Sequence, residues 1–313
     1  YLTGPREAPL PPPRRKGTGK KLTVHNATAN NLTGVTASIP LGTFTCITGV
    51  SGSGKSSLVS QAVPALLREH LGSGGAPEPE LTGDPETDLL LGDDVDDVRG
   101  RVTEAPPGVR RVVVIDQKPI GRTPRSNVAT YTGLFDHVRK LYAATDEAKR
   151  RGYTAGRFSF NVPGGRCPTC EGEGSVMVEL LFLPSIYTPC PDCHGTRYEA
   201  STLEVTWHER SVADVLAMSV DEAHAFFDGE GSIHHSLAVL RDVGLGYLRL
   251  GQPATELSGG EAQRVKLASE LQRASRGDTL YVLDEPTAGL HPADSDRLMR
   301  HLQGLADAGN TVV

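Results

Sequence analysis

The chain has 313 residues, of which 38% are hydrophobic and 22% charged, with 35 Gly and 22 Pro. This composition is typical of a loop-rich globular protein. No apolar run reaches the ~18 residues that a membrane-spanning helix needs, so we expect a cytoplasmic protein that does not engage a membrane. The formal net charge of -6 does not by itself indicate a nucleic-acid-binding protein. The chain starts without Met or an apolar leader and stops inside a predicted strand, so we expect part of a longer protein.

Charge is unevenly distributed along the chain. Residues 71–104 contain 10 acidic and 2 basic residues, a local net charge of -8, whereas residues 110–166 contain 12 basic and 4 acidic residues, a local net charge of +8. A basic block of this size can bind a phosphate backbone. It can equally be a solvated face of a globular domain, and charge alone leaves both interpretations open.

The first part of the chain predicts strands around one helix. Residues 1–20 form a Pro/Arg/Lys-rich lead-in that we expect to be extended. LTVHNA and TFTCITGV predict strands, and Cys46, within the second, is expected to be a buried, inert thiol. SSLVSQAVPALLREHL predicts a helix with a kink at Pro64. Residues 72–104 are expected to be a poorly ordered acidic insertion within a domain that begins with residues 21–130, where VRRVVVID predicts a buried strand.

Helical spacing dominates residues 131–265, where TGLFDHVRKLYAATDEAKRRG, SVADVLAMSVDEAHAFFDG and HHSLAVLRDVGL predict helices. Two Cys-x-x-Cys pairs define a module at residues 161–200 inside this helical region. SGGEAQRVKLASELQRAS predicts a further helix with Ser258 at its N-cap. TLYVLDEP predicts a buried strand, and ADSDRLMRHLQGLADAG predicts the helix after it. Residues 266–313 are therefore expected to complete the domain that residues 21–130 begin.

The segment GVSGSGKS, Gly49–Ser56, matches the P-loop pattern, and it lies between a predicted strand and a predicted helix, as such a loop requires. Its backbone N–H groups would wrap phosphates, and the helix N-terminus adds a partial positive charge. Lys55 is expected to reach the β- and γ-phosphates of ATP, and Ser56 to ligate Mg²⁺. The predicted nucleotide-binding residues of this loop are Gly49, Ser51, Gly52, Gly54, Lys55, Ser56 and Ser57.

The segment LYVLDEP predicts the second half of this nucleotide site. Asp284 ends a hydrophobic strand and is expected to lie beside Mg²⁺, while Glu285 is the candidate to polarise the attacking water. Acidic pairs at strand ends are common, but a pair that follows a P-loop on the same chain is far more specific. The combination predicts an ATPase that binds ATP, ADP and Mg²⁺.

The segment LSGGEAQR predicts a second anion site, because Ser258 caps a helix and Gly259 and Gly260 expose its first N–H groups. On one rigid domain this site cannot easily serve the P-loop of the same chain. We therefore expect it to close on a nucleotide held by a partner domain. The segment resembles the signature motif of the ABC ATPase superfamily, and Gln117 lies where the Q-loop of that family falls. The resemblance implies that Gln117 touches Mg²⁺ or water and links the ATP site to the inserted domain.

The cysteine spacing predicts a zinc ribbon. Cys167 and Cys170 form one Cys-x-x-Cys pair, and after 19 intervening residues Cys190 and Cys193 form the other. This matches the spacing of four-cysteine zinc sites, and four thiolates without a spare position indicate a structural site that is closed to substrate. The alternative is a redox role for the pairs, but two matched pairs favour a zinc ribbon over a redox site.

Beyond these motifs, the chain resembles the C-terminal half of the UvrA family of excinuclease proteins, or a short UvrA-like paralogue, from about residue 22 onward. Ordinary transporter ATPases carry no zinc ribbon at this place, so the combination is specific. The segments that carry the resemblance are NNLTGVTASIPLGTFTCITGVSGSGKSSLV, IDQKPIGRTPRSNVATYTG, RGYTAGRFSFNVPGGRCPTCEGEG, CPDCHGTRYEA, LGYLRLGQPATELSGGEAQRVKLASEL and LYVLDEPTAGLHPAD.

The resemblance implies an α/β fold, in which an ABC-type P-loop ATPase domain is interrupted by a helical signature domain that carries the zinc ribbon. It implies a second ATPase half in the same protein, a homodimer, and damage recognition on double-stranded DNA in nucleotide excision repair, with hand-over to a UvrB-like partner. The switch histidine of the family is expected just beyond Val313. Two alternatives stay open, namely a paralogue in antibiotic self-resistance and a binding fragment that does not hydrolyse ATP.

Arginines near the cysteine pairs are the candidate DNA contacts, because the zinc region of the family lies near bound DNA. Surface arginines also form ordinary salt bridges, so each of them can instead be structural. The predicted DNA-contacting residues are Arg122, Arg125, Arg157, Arg166 and Arg197.

Overall fold

The computed structural model of this chain describes residues 15–72, 98–104, 109–180, 183–273 and 277–313. Most of the lead-in and residues 73–97 of the acidic insertion lie outside the described residues, so the expectations for them stay predictions. Within the described part, no helix combines the length and the apolar character needed to cross a bilayer.

Among the described residues, a three-stranded antiparallel sheet holds β1 (Lys21–Ala29), β2 (Leu32–Pro40) and β3 (Arg99–Glu104) in the order β2-β1-β3. The expectation of a poorly ordered insertion is wrong for its last residues, because β3 pairs with β1, with Val102 opposite Val24. Val102 packs against the same core as Val24, and burial of that side chain favours strand pairing over a solvated loop.

The segment TFTCITGV does not form the predicted strand. Phe44 makes an isolated parallel bridge to Val312, and the neighbouring bonds run from Thr45 N to Val312 O and from Val312 N to Thr43 O. Cys46 is exposed, so the expectation of a buried thiol is wrong.

The helix after the P-loop begins as a π-helix, Ser57–Ala62, and continues as α1, Val63–Leu71. Pro64 lies in the first turn of α1, directly after the π-helical turns. The helix type thus changes one residue before this proline, and the kink expected at Pro64 stays a prediction.

Strand β4 (Arg111–Ile115) leads into the helical part of the chain. The predicted helix that starts at Thr132 is split at Thr145, whose side chain caps a second helix. Short 3-10 turns lie at Ala155–Phe158 and Ala254–Glu256. The helices are α2 (Val128–Tyr131), α3 (Leu134–Ala143), α4 (Asp146–Arg150), α5 (Ala200–Leu203), α6 (Val212–Ala217), α7 (Val220–Phe226), α8 (Gly231–Asp242) and α9 (Gly259–Leu271).

Two antiparallel hairpins accompany these helices, β5 (Ser175–Leu180) with β6 (Leu183–Pro189), and β7 (Thr206–Trp207) with β8 (Arg210–Ser211). The first of them lies between the two cysteine pairs. It therefore connects the two halves of the predicted zinc ribbon.

A parallel sheet of the described residues has the order β10-β9-β4, with β9 at Thr279–Leu283 and β10 at Thr311–Val312, joined by α10 (Pro292–Asp307). This sheet separates two hydrophobic cores, because successive side chains point to opposite faces. Val112, Leu280 and Val282 belong to the core of the antiparallel sheet, whereas Val113, Ile115, Tyr281 and Leu283 belong to the core of the helices.

The predicted domain boundaries fall inside continuous helices. The boundary at 130/131 lies within α2, and the boundary at 265/266 lies within α9. The helical region and the parallel sheet share one core. Helix α9 therefore packs on the sheet as part of that core, and no linker separates the two regions.

Candidate nucleotide and metal sites

The P-loop is held from outside by the turn between β1 and β2. Asn31 Nδ2 donates a hydrogen bond of 2.7 Å to the carbonyl oxygen of Gly52. A Cβ at Gly54 would lie 2.7 Å from Leu32 Cδ2 and 3.0 Å from Asn31 Oδ1, and the φ of Gly54 is +88°. Only glycine fits such a backbone so close to its neighbours. The β1–β2 turn therefore fixes the curvature of the loop.

The lysine of the loop, Lys55, lies inside its curve. Its Nζ donates to the carbonyl oxygens of Gly49 at 3.0 Å and Val50 at 2.8 Å. An ammonium carries three donors, so the same group can bind phosphate oxygens. Ser51, Gly52 and Ser56 are exposed along the loop, which leaves them accessible to a ligand.

The π-helix after the loop is tied to the same β1–β2 turn. Asn30 Nδ2 donates to Gln61 Oε1 at 2.7 Å and to Ser57 Oγ at 3.2 Å. Leu58 N donates to Gly54 O at 2.9 Å, so the helix begins directly at the glycine. The N-terminal N–H groups and their partial positive charge therefore face the loop, an arrangement that favours phosphate.

The acidic residues follow two strands of the parallel sheet. Ile115 lies opposite Leu283 in the register of β4 and β9, so Asp116 and Asp284 leave the sheet at the same edge. The π-helix packs against β9, which brings the P-loop helix to that strand. The sheet thus places both halves of the predicted ATP site on one side of the molecule.

Glu285 has a left-handed backbone, with φ at +46°, and its carbonyl accepts a hydrogen bond of 3.0 Å from Ala288 N. Residues other than glycine seldom adopt this conformation, and such strain is concentrated at functional sites. The side chain of Glu285 is exposed. A tight turn therefore presents this carboxylate to solvent directly after Asp284.

Ser258 is the N-cap of α9, as the sequence predicts. Glu261 N donates to Ser258 Oγ at 3.3 Å, and Ser258 N donates to Glu261 Oε2 at 2.7 Å, which together form a capping box. Tyr247 OH donates to Glu261 Oε1 at 2.6 Å. Although partial burial opposes the shift, the bonds from Tyr247 and Ser258 hold the pKa of Glu261 below its usual range. These hydrogen bonds therefore fix the conformation of the first turn of α9.

Gln117 lies against the first turn of α9. A Cβ at Gly259 would lie 3.1 Å from Gln117 Cβ and 3.3 Å from Gln117 Oε1. The structure thus brings the residue after β4 next to the signature segment of the same chain, and a side chain at position 259 would displace it.

The four cysteines of the two pairs form one buried cluster, and they are not paired as disulfides. Their sulfur atoms all lie within 4.8 Å of one another, with Cys167 Sγ 3.9 Å from Cys190 Sγ and Cys170 Sγ 3.6 Å from Cys193 Sγ. A tetrahedral zinc with bonds of ~2.3 Å gives sulfur separations of ~3.8 Å. The cluster therefore fits Zn²⁺ in size, donor type and coordination number.

The backbone around the cluster is equally constrained. A Cβ at Gly172 would lie 1.9 Å from the carbonyl oxygen of Phe160, and the φ of Gly172 is +88°. Only glycine therefore fits at this position.

The protonation of the cysteines also bears on the metal. Burial raises the pKa of the Cys170 thiol to about 12. A bound cation is therefore what would make thiolates stable at this buried place.

Arg197 is not a surface residue, contrary to its expected role as a DNA contact. It is 6% exposed, its guanidinium donates to the carbonyl oxygens of Pro124 at 2.9 Å and Gly251 at 3.0 Å, and it lies over the ring of Phe160. Burial lowers the pKa of Arg197, and the carbonyl oxygens compensate its charge. Arg197 therefore joins the cysteine module to two other loops and has no access to a phosphate.

The other arginines of the predicted DNA set differ in how they are engaged. Arg157 pairs with Glu199 at 2.9 Å, Arg166 with Glu171 at 3.2 Å and Arg125 with Glu173 at 3.3 Å. Arg122 is exposed. Contact between the ion-paired arginines and phosphate would compete with these carboxylates, so Arg122 is the best-placed candidate of the set.

Sequence reasoning missed three residues that organise the site, namely Asn31, Gln263 and Lys266. An Asn-Asn dipeptide between two strands is a turn signal, but nothing in it points to a loop twenty residues away. Gln263 and Lys266 lie in a predicted helix, where polar residues are usually taken as solvated. Gln263 is instead 3% exposed, which only tertiary packing reveals.

Comparison with known proteins gives a consistent result. No protein-family model matches the sequence. The chain is 54% identical over 315 residues to UvrABC system protein A of Streptomyces coelicolor and 51% identical over 316 residues to that of Bacillus subtilis, in both cases over its whole length. The crystal structure of UvrA2 from Deinococcus radiodurans matches the whole chain with a TM-score of 0.84 at 58% identity. The chain spans 29% and 31% of the two sequences and 35% of the structure.

Proposed function

Because the chain is UvrA-like over its whole length, we propose that it is an ATP-binding and ATP-hydrolysing segment of an ABC protein that recognises damaged DNA in nucleotide excision repair. The observation that carries the proposal is the register of β4 and β9. It sends Asp116–Gln117 and Asp284–Glu285 out of the same sheet edge, against which the P-loop helix packs.

The P-loop is the proposed phosphate site. Backbone N–H groups from Gly49 to Ser57 hold the phosphates of ATP or ADP, with Ser51, Gly52 and Gly54 in the loop itself. Lys55 moves from its carbonyl partners to phosphate oxygens, and this exchange costs little because both partners are hydrogen-bond acceptors. Ser56 and Asp284 supply the oxygens that would hold Mg²⁺. Mg²⁺ bound there would neutralise charge on the phosphates.

Glu285 is the proposed general base, and Gln117 positions the water that it activates. Glu285 is exposed directly after Asp284, and its strained backbone limits where its carboxylate can go. Gln117 follows the neighbouring strand. A carboxylate and an amide at adjacent strand ends can together orient one water molecule.

The signature residues Ser258, Gly259 and Gly260 are proposed to contact a nucleotide held by a second ATPase half. They form the first turn of α9, whose N–H groups and partial positive charge favour an anion. Closure of two such halves around ATP would move the helical region with α9. In the intact protein, this movement would be coupled to double-stranded DNA, to a second copy of the protein and to a UvrB-like partner.

Zn²⁺ is the proposed occupant of the cysteine cluster. Four thiolates leave no open coordination position, so the metal stabilises the module and takes no part in hydrolysis. Arg197 connects the module to the loop that contains Pro124, which begins after Gln117. A stable module would therefore also hold this loop in place. The metal site would therefore support the ATP site from a distance.

The sequence leaves open a second candidate function, a UvrA-type paralogue in antibiotic self-resistance. Both candidates require ATP hydrolysis, but they differ in the partner. A full-length protein that binds the drug and ignores lesions in DNA would support the second candidate and contradict the first.

The test uses the full-length protein that contains this segment. Glu285→Gln should reduce ATP hydrolysis by at least about 100-fold, because it removes the general base, while ATP binding persists. Asp296→Asn, at an exposed carboxylate of α10, is the matched control. DNA affinity should fall steeply with salt concentration. Unchanged hydrolysis in Glu285→Gln, or DNA binding that is absent or insensitive to salt, would contradict the proposal.

A further inference from the structure

Helix α9 carries polar side chains on the face that meets β4. Gln263, Lys266 and Glu270 are spaced at i, i+3 and i+7, so they lie on one side of the helix. Gln263 contacts Ile115, the last residue of β4, and Glu270 contacts Arg111, the first. The helix and the strand therefore run in opposite directions, and α9 spans β4 from end to end.

Gln263 connects the ends of two neighbouring strands. Its Nε2 donates to Ile115 O at 3.0 Å and to Asp284 O at 2.7 Å, so both amide protons are used. The side chain is 3% exposed. Ile115 leads into Gln117, and Asp284 leads into Glu285. One buried amide thus holds together the two segments that carry the proposed catalytic groups.

Lys266 holds the residues on either side of Gln117. Its Nζ forms an ion pair with Asp116 and donates to Lys118 O at 2.8 Å. Gly259, at the start of the same helix, packs against Gln117 itself. Helix α9 therefore contacts residues 116, 117 and 118, so a backbone movement of this segment would change its packing on the helix.

We propose that Gln263 and Lys266 are positioning residues that couple the signature residues of this chain to its own ATP site. Ser258 lies five residues before Gln263 on one continuous helix, so a tilt of α9 moves both together. A rearrangement of Gln117 or Glu285 around ATP would thereby be transmitted to Ser258, which serves the nucleotide of the partner domain. The inference rests on the proposed ATPase function and identifies how the two sites communicate.

The test compares steady-state ATP hydrolysis by the full-length protein with and without double-stranded DNA. Gln263→Met and Lys266→Met keep the side-chain length but remove the polar contacts. In both variants we expect the ratio of DNA-stimulated to basal rate to fall toward 1. We also expect kcat to drop roughly tenfold while KM for ATP changes less than about twofold, because neither residue touches the P-loop. Lys266→Arg should restore most of the ratio.

Glu270→Gln is the matched control. It breaks the ion pair of α9 with Arg111, at 2.8 Å, at the opposite end of β4. This variant should lower the melting temperature without changing the DNA-stimulated ratio, because the contact lies far from Gln117 and Glu285. A loss of ratio in Glu270→Gln equal to that in Gln263→Met would mean that any loosening of α9 suffices, which would overturn the specific assignment.

The outcomes separate the two levels of the proposal. If both methionine variants keep the wild-type ratio, or lose basal and stimulated rates in equal proportion, Gln263 and Lys266 are structural and the inference is wrong. If Gln263→Met does not fold, Lys266→Met decides, since Lys266 is only half-buried. If the wild-type protein shows no ATP hydrolysis, the proposed function itself fails.

Discussion

Asn31 donates a 2.7 Å hydrogen bond to the carbonyl oxygen of Gly52, so the turn between β1 and β2 supports the P-loop from outside. The bond crosses twenty residues of sequence and joins a strand turn to the phosphate-binding segment. The shape of the loop therefore depends on a residue that lies outside the P-loop motif.

Asn31→Ala should weaken ATP binding about 5- to 10-fold, since loss of one hydrogen bond costs about 1–1.5 kcal/mol. Titration with a fluorescent ATP analogue measures the effect. Thr28→Ala, in the same hairpin, is the control, because among the described residues the Thr28 hydroxyl donates only to the nearby Asn26 carbonyl. Equal affinity in wild type and Asn31→Ala would show that the loop keeps its shape without this support.

The cysteine cluster should contain one zinc ion for each chain. Cys170→Ser should abolish stoichiometric zinc and reduce the free energy of unfolding by at least about 3 kcal/mol, which lowers Tm by about 6–12 °C. Elemental analysis and calorimetry provide the two readouts. Cys46→Ser should change neither, because Cys46 is exposed and outside the cluster. A zinc-free wild type whose cysteines form disulfides under oxidation would instead favour the redox alternative.

Arg197→Met should destabilise the protein by about 3 kcal/mol, because it leaves buried carbonyl oxygens without their charged donor. Thermal unfolding measures the loss. Arg122→Met, at an exposed site, should leave Tm within about 2 °C of wild type. Stability equal to wild type in Arg197→Met would mean that water replaces the guanidinium, and the structural role assigned to Arg197 would then be wrong.

Arg122→Ala should weaken DNA binding by the full-length protein at all sequences and reduce the salt dependence of log K by about 0.9, the loss of one phosphate contact. Binding measured at several salt concentrations gives this slope. Arg150→Ala, whose side chain is 73% exposed in a local pair with Glu147, is the control. A slope unchanged from wild type in Arg122→Ala would remove the last exposed arginine of the predicted set.

Motif spacing was sufficient to predict much of the site. The P-loop, the helix capped by Ser258 and the buried strand before Asp284 depend on residues close together in sequence, because turns, caps and strand ends are local structures. The two Cys-x-x-Cys pairs predict one metal cluster for the same reason, since each pair brings two sulfur atoms to one place. The resemblance to ABC ATPases likewise rests on a local motif, the segment LSGGEAQR.

Only the tertiary structure decided which side chains are buried and what they join. Cys46 was expected to be buried and is exposed. Arg197 was expected at the surface and is buried, where backbone carbonyl oxygens accept hydrogen bonds from its guanidinium. Gln263 can bond to both strand ends because β4 and β9 end in register. Burial and long-range hydrogen bonds depend on which distant segments pack together. The local spacing of residues along the chain does not specify which segments these are.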